Sequence, residues 1–229
     1  MSSSNKIEII PIPLTMVNSY LLRTDSADLL IDTGLPHTTE MLSAALTKLA
    51  CTPERLKLII LTHGDGDHIG GCKFLIENFK APILIHKKDF EMMNSGLMPK
   101  RKVKGLLMKV LFGIGMIINR KKTGNTKRYQ LSPDIIIDGD MNLEEYGFPA
   151  KIICTPGHTL GSIMVLTNEG DLFSGDTLIS MGNPSTATLI ENESLLEKSL
   201  ESISKLNIIN IYPGHGKAFT PNQLPKIFK

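Results

Sequence analysis

The stretch LTHGDGDHIGG at residues 61–71 places two histidines and two aspartates within six positions, directly after the apolar run at 58–61. A buried strand that ends in imidazole and carboxylate groups puts metal-ligand side chains at one edge of a sheet. Such groups are costly to cluster, because like charges repel and buried carboxylates resist ionisation. A divalent cation removes this cost by supplying the opposite charge. We therefore predict a metal site around His63, Asp65, Asp67 and His68, against the simpler alternative of a polar turn with accidental histidines.

Apolar patterning on both sides of this stretch indicates strands and helices in a repeated order. Strands are predicted at 6–13, Val17–Arg23, Asp28–Ile31, 56–61 and 82–85, and helices at 38–50 and 71–79. Further strands are predicted at 134–138, Ala150–Cys154, 162–167, 171–174 and 208–212, with an amphipathic helix at 194–206 that begins at a Ser194…Glu197 capping box. Strands followed by a helix occur twice. This order predicts an α/β fold, a four-layer αβ/βα sandwich of two packed mixed β-sheets with helices outside, in a single domain over residues 1–229.

Three later stretches share one pattern, in which an apolar strand is followed by glycine and then by a ligand-type residue. They are Gly157-His158, Gly175-Asp176 and Gly214-His215. Glycine lets the backbone turn so that the next side chain points inward from the strand end. We expect these residues to meet the 61–71 stretch in one site.

Several other polar residues are assigned plainer roles. Asp32 ends a predicted strand, and it either turns the chain or supports a metal ligand from behind; the sequence favours neither. His37 is interpreted as a solvated residue at a helix entry and His86 as a structural histidine. Residues 87–89 are interpreted as solvated residues at the start of a helix.

Basic residues are concentrated in one segment. Residues 97–128 contain ten Lys or Arg and no acidic residue, so the rest of the chain carries a net charge of minus eight. We predict a lid-like insert there, with three readings open: helices packed on the body, an apolar wall over the site, or peripheral contact of residues 100–122 with a membrane. Its apolar run at 105–118 would span about 21 Å as a helix, short of the ~30 Å hydrocarbon core. Nucleic acid binding is disfavoured, because Phe112 is the only aromatic residue between the basic clusters.

The three cysteines, at positions 51, 72 and 154, form no Cys-x-x-Cys pair. This pattern favours free thiols in a reducing compartment. The polar N-terminus lacks the features of a secretory signal, and no apolar run reaches the ~20 residues of a spanning helix. The sequence therefore predicts a cytoplasmic protein. The expected partner is a small-molecule substrate, and the oligomeric state is left open.

The combined motifs resemble the metallo-β-lactamase superfamily of hydrolases. That family's pattern is His-x-His-x-Asp-His, followed by a distant His, an Asp and a final His. The resemblance covers nearly the whole chain, including the segments at 18–20 and 32–34. It implies two divalent metal ions. The residues that match ligands are His63 and His158 for the first ion, Asp67, His68 and His215 for the second, and Asp176 as the bridging carboxylate.

Asp65 departs from the pattern, because it stands where the family usually has His. A carboxylate still binds metal through oxygen, so we keep Asp65 in the predicted ligand set. The resemblance implies zinc, whereas the extra carboxylate makes the site harder and more anionic and favours Mn or Fe. The implied chemistry is attack by a metal-bridging hydroxide. Asp67 is the predicted catalytic residue, which passes a proton to the leaving group.

The predicted function is hydrolysis of a small ester, lactone or thioester, and the apolar insert suggests an apolar group on the substrate. A first alternative is a di-iron oxidoreductase with a separate electron carrier, since flavodiiron proteins resemble this chain in having a carboxylate at the position of Asp65. A second alternative is a phosphodiesterase or nuclease of the same superfamily, whose basic insert would hold phosphate.

Overall fold

The computed structural model describes residues 6–95, 100–104, 132–224 and 226–228. Most of the predicted insert at 97–128, including its apolar run, lies outside the described residues. The first half contains strands β1 (Glu8–Leu14), β2 (Val17–Arg23), β3 (Asp28–Ile31), β4 (Leu56–Ile60) and β5 (Ile83–His86). Its helices are α1 (Thr39–Lys48), α2 (Gly66–Ile69), α3 (Cys72–Asn78) and α4 (Lys87–Ser95).

The remaining elements are mostly short strands. They are β6 (Lys102–Val103), β7 (Ile135–Ile137), β8 (Met141–Asn142), β9 (Ala150–Cys154), β10 (Ile163–Thr167), β11 (Asp171–Gly175), β12 (Leu178–Ile179), β13 (Ser185–Thr186), β14 (Leu189–Ile190) and β15 (Asn210–Pro213). One helix, α5 (Glu193–Ile203), lies between β14 and β15.

Two larger sheets form the body. The first has the order β1-β2-β3-β4-β5-β7, antiparallel from β1 to β3 and parallel from β3 to β7. The second has the order β15-β11-β10-β9-β8, in which only the β11–β15 pair among these strands is parallel. Both sheets are therefore mixed. The parallel strands β4 and β5 read as nearly continuous apolar runs because helices and the other sheet cover both of their faces.

The core lies in three layers of apolar side chains. Leu58 and Ile60 of the first sheet pack against Val165 and Phe173 of the second in the central layer. Leu46 of α1 belongs to a cluster on the outer face of the first sheet. Residues of α5, with Met164 and Leu172, form the corresponding cluster on the second sheet. Each such fully buried side chain contributes roughly 1.5–3 kcal/mol. The predicted four-layer α/β sandwich is confirmed.

The predicted capping box at the start of helix α5 is wrong. Helix α5 begins at Glu193, one residue before the predicted start, and its N-cap is Asn192. The Asn192 side chain accepts a hydrogen bond of 3.0 Å from the backbone N–H of Leu195. Ser194 lies inside the helix and so does not cap it. Asparagine caps at least as well as serine, because its carbonyl oxygen reaches the same free backbone N–H groups.

Burial shifts the pKa of the cysteine thiols. Cys51 and Cys72 are buried, and burial raises the pKa of each thiol to about 12. In the part of the chain that the structure describes, no helix combines the length and apolar character needed to cross a membrane.

Candidate metal centre

The ligand-type residues gather where strands of both sheets end. His63 follows β4, and α2 carries Asp67 and His68. His158 follows β9, while Asp176 comes directly after β11. His215 follows β15. The two sheets thus deliver these side chains to one edge of the sandwich.

Six side chains form two donor sets. The first set is His63, His158 and Asp176, and the second is Asp67, His68 and His215. In each set, one nitrogen or oxygen atom per residue lies within 4.8 Å of the others. The structure therefore groups these residues as the family resemblance implies.

Asp176 lies between the two donor sets. Its Oδ2 is 3.8 Å from His158 Nε2 and 3.3 Å from His215 Nε2, and its Oδ1 is 3.4 Å from His68 Nε2. A carboxylate in this position can offer one oxygen to each set, which is the geometry that a bridging ligand needs.

Buried polar atoms without partners test whether the site fits a cation. Among the described residues, His63 Nε2, His68 Nε2 and Asp176 Oδ1 are buried and lack a hydrogen-bond partner. Leaving such a group unsatisfied costs roughly 1–3 kcal/mol. Imidazole nitrogen and carboxylate oxygen are donors for zinc, iron and manganese. The residues present therefore fit divalent metal ions.

Hydrogen bonds on the far side of the rings orient the histidines. His158 Nδ1 lies 2.8 Å from the carbonyl oxygen of Leu189, and His215 Nδ1 lies 2.6 Å from that of Met16. Because a carbonyl oxygen only accepts, each Nδ1 carries the hydrogen. In a neutral ring this leaves the Nε2 lone pair facing the site, as metal binding requires.

Asp32 combines the two roles that its sequence position left open. Its φ of +58° turns the chain at the end of β3. Its Oδ2 accepts hydrogen bonds from the Thr62 hydroxyl and from His68 Nδ1, both at 2.8 Å. The Thr62 hydroxyl oxygen also lies 3.0 Å from His63 Nδ1. One buried carboxylate thus supports a histidine of each donor set.

The prediction that Asp89 is a solvated residue is wrong, because its exposed fraction is 1%. Its Oδ2 accepts from the Gly64 N–H at 2.7 Å and the Thr159 hydroxyl at 2.8 Å, and its Oδ1 accepts from the Gly161 N–H at 2.8 Å. Gly64 adjoins His63, and Thr159 adjoins His158. Asp89 therefore ties together the two loops that carry the histidines of the first set.

Asp65 also lies at the site, in an unexpected pairing. Both of its carboxylate oxygens accept hydrogen bonds from the guanidinium of Arg101, which lies in the predicted basic insert. Neither donor set includes Asp65, although its Oδ2 is 3.2 Å from His158 Nε2 and 3.5 Å from His63 Nε2. In the sequence, Arg101 is one of three consecutive basic residues at 100–102, and nothing local distinguishes it from the other two.

Charges within the site shift the pKa values of its members. Burial would raise the pKa of Asp176, but His68 and His215 beside it hold that pKa well below its usual range. Burial would lower the pKa of His215, but the charge and hydrogen bond of Asp176, together with a hydrogen bond to Asp67, raise it to about 10. The raised pKa means that His215 is protonated when no cation is bound. A cation that binds here replaces this proton, so binding releases it.

Two glycines of the predicted pattern are needed for different reasons. Gly175 has a φ of +49°, which places Asp176 at the turn after β11. A Cβ on Gly214 would lie 2.6 Å from Asp176 Oδ1 and 2.7 Å from His68 Cε1. Gly214 is therefore needed because it leaves room for the ligands. Unlike Gly175, it does not have a positive φ.

A cavity of about 170 Å³ opens onto both donor sets. Besides ligand-type residues, its walls include the apolar side chains of Met16, Ile179, Met181 and Leu189.

The other two histidines of the chain, His37 and His86, lie outside this site. His86 accepts a hydrogen bond of 3.1 Å at Nδ1 from the Lys88 N–H, and His37 belongs to the short 3-10 helix Pro36–Thr38.

Comparisons with known proteins point to one family. The model of the metallo-beta-lactamase superfamily matches residues 12–215. The chain is 33% identical over 207 residues to a beta-lactamase-like protein 2 homolog of Caenorhabditis elegans, covering 90% of this chain. The chain spans 58% of the length of that relative.

Two further likenesses concern an activity and a metal. The chain is 32% identical over 131 residues to a hydroxyacylglutathione hydrolase of Shewanella pealeana, covering 57% of this chain and 36% of that protein. The fold also matches the crystal structure of TTHA1623 in a di-iron-bound form, with a TM-score of 0.66 and 21% identity, covering 96% of this chain and 98% of that one.

Proposed function

Because the chain belongs to the metallo-beta-lactamase superfamily, we propose that it is a metal-dependent hydrolase of a small ester, lactone or thioester that carries an apolar group. The observation that carries the proposal is the convergence of two donor sets on a cavity of about 170 Å³ with partly apolar walls. The two sets support a binuclear site. Zinc is the metal expected from the family, and the carboxylate of Asp65 favours Mn or Fe.

Divalent cations supply Lewis acidity, which activates water and polarises the bond to be cleaved. The chain's own contribution to proton transfer comes from Asp67. Its carboxylate is 33% exposed and lines the cavity, with Oδ2 3.3 Å from His215 Nε2. Burial would raise the pKa of Asp67, but the hydrogen bond from His215 lowers it. Asp67 is therefore ionised at neutral pH in the metal-free chain, and a bound cation would keep it ionised. Its carboxylate can then accept a proton before passing it to the leaving group.

The apolar walls support an apolar substituent on the substrate. Met16 and Met181 are 67% and 50% exposed, so both present apolar surface beside the polar site. Both also line a neighbouring groove of about 780 Å³ that includes Lys217 and Phe219. Methionine adapts its shape to different partners. These side chains thus suit acyl groups of varied length, with the remainder of the substrate in the groove.

The name of one relative supports including thioesters. Hydroxyacylglutathione, the substrate in the name of the Shewanella pealeana protein, is a thioester. We also propose that the chain works in the cytoplasm, where its three free thiols would stay reduced.

A substrate panel tests the proposal. Protein reconstituted with Zn, Mn or Fe is assayed on p-nitrophenyl esters of two to ten carbons, a thioester, a lactone and bis(p-nitrophenyl) phosphate. We expect Met181→Ser to lower kcat/KM for the long esters about tenfold more than for the acetate. Met41→Ser is the matched control, because Met41 is 45% exposed on α1, away from the cavity. Hydrolysis of the phosphodiester alone would favour the phosphodiesterase alternative and contradict the proposal.

A second candidate function is a di-iron oxidoreductase with a separate electron carrier. Two observations favour it: Asp65 adds a carboxylate oxygen beside the first donor set, and the structure of TTHA1623 is a di-iron-bound form. Anaerobic purification with metal analysis, followed by O₂ or NO consumption with a reductant, separates the two functions. Turnover of O₂ or NO without ester hydrolysis would replace the first candidate by the second.

A further inference from the structure

Arg101 reaches the first donor set through a small ribbon of two strands. Strand β6 pairs with β14, with Val103 opposite Leu189 and Lys102 opposite Ile190. Arg101 comes directly before β6. The carbonyl of Leu189, in the opposite strand, holds Nδ1 of His158. The same ribbon therefore positions Arg101 and a histidine of the first set.

The contacts of Arg101 are buried and specific. Its side chain is 7% exposed, and that of Asp65 is 13% exposed. Nη2 donates to Asp65 Oδ1 at 2.7 Å, while Nη1 donates to Asp65 Oδ2. This two-point geometry holds the plane of the carboxylate in one orientation.

The orientation aims Asp65 at the first donor set. Asp65 Oδ2 lies 3.2 Å from His158 Nε2 and 3.5 Å from His63 Nε2. Nitrogen and oxygen ligands at about 2.0–2.1 Å from one tetrahedral ion lie roughly 3.3–3.4 Å from each other. Both distances from Asp65 Oδ2 are therefore close to those between ligands that share an ion, while Arg101 holds the carboxylate from its other side.

Charge gives Arg101 a second effect. Asp65 and Asp176 bring two negative charges to the first set if both are ionised, and the guanidinium of Arg101 cancels one of them. We propose that Arg101 is a component of the first metal site, where it fixes Asp65 Oδ2 as a donor and sets the net charge that the ion meets. Arg101 is a positioning residue in this sense and does not itself bind metal.

A salt bridge that serves stability alone is the competing explanation. Removing two charges from water has a desolvation cost that the pairing often only offsets, so a buried ion pair is weak evidence of a stabilising role. Arg101 Nε is also buried without a partner among the described residues, as expected if the placement of the guanidinium serves the site.

Metal binding to the full chain tests the proposal without a substrate, so its outcome is independent of the proposed hydrolase activity. Chelator-treated protein is dialysed against graded free Zn²⁺, and metal per chain is measured by mass spectrometry. The binding step that His158→Ala abolishes defines the first site. The decisive comparison is Asp65→Asn against Asp65→Asn with Arg101→Met. The Asn variant keeps the shape of residue 65 and leaves the charge of Arg101 uncompensated.

We expect first-site affinity to be at least tenfold weaker in Asp65→Asn than in the double variant. Asp65→His with and without Arg101→Met provides a second pair, and the same order is expected there. Lys102→Met is the matched control, because Lys102 is a 65% exposed cation of the same ribbon that pairs with Glu193, and it should bind metal as the unmodified chain does. Equal affinities within both pairs, in variants whose circular dichroism matches the unmodified chain, would overturn the proposal.

Discussion

Replacement of Asp89 should weaken both the fold and the first donor set. Its carboxylate accepts three hydrogen bonds of 2.7–2.8 Å from two loops and is 1% exposed. A hydrogen bond to a charged group contributes roughly 1.5–3 kcal/mol, and these three share one acceptor, so they are not additive. Asp89→Asn keeps the shape but turns an NH₂ group towards donors. We expect it to lower the free energy of unfolding by about 2–4 kcal/mol, a large part of the 5–15 kcal/mol typical of a domain.

The metal readout distinguishes positioning from stability. Misplaced loops around His63 and His158 should weaken first-site Zn²⁺ binding roughly 10–100-fold, the usual effect of losing a partner behind metal ligands. Second-site affinity should change less, because Asp32 supports His68 directly. Urea unfolding of chelator-treated protein measures stability, and equilibrium dialysis measures metal.

Two further variants test whether the effect is specific to the contacts of Asp89. Asp171→Asn is the control, since Asp171 is a buried carboxylate that accepts from Asn210 at 2.8 Å in the second sheet and should leave metal binding unchanged. Gly161→Ala should act like Asp89→Asn, because its Cβ would lie 2.4 Å from Asp89 Oδ1. Unchanged urea midpoint and unchanged Zn²⁺ affinity in Asp89→Asn would refute the idea that this carboxylate joins the loops.

Three other predictions follow from local geometry. Asp32→Ala should weaken metal binding at both sites at least tenfold, because histidines of both sets lose their support; loss at one site only, by dialysis, would contradict this. Gly214→Ala should impair metal binding at both sites with little change in secondary structure by circular dichroism, since its Cβ would meet Asp176 of the first set and His68 of the second. Burial would raise the pKa of Asp28, but hydrogen bonds from Arg23 and Arg55 lower it. Its contribution to stability is therefore present above the unfolded-state pKa of about 3.9 and is lost as pH falls below it. Asp28→Asn should accordingly cost about 1–3 kcal/mol at pH 7, and its urea midpoint should approach that of the unmodified chain as pH falls through the lowered folded-state pKa of Asp28.

Local patterns were enough to identify the elements and the ligand-type residues. The apolar runs of β2, β3 and β9 mark their bounds directly, because alternation and continuous apolarity are properties of neighbouring residues. The order glycine then histidine or aspartate at strand ends likewise lies within a few positions. The four-layer α/β sandwich and the six residues of the donor sets could therefore be predicted from the sequence.

The supporting residues depended on contacts between distant parts of the chain. Asp89 resembles any acid in the first turn of a helix, and only packing brings it to Gly64 and Gly161, 25 and 72 positions away. Arg101 resembles its basic neighbours until the β6–β14 ribbon aims it at Asp65. Side-chain type determines what a residue can do, and the sequence gives it directly. The partner it meets is set by how the two sheets and their loops pack, which only the tertiary structure decides.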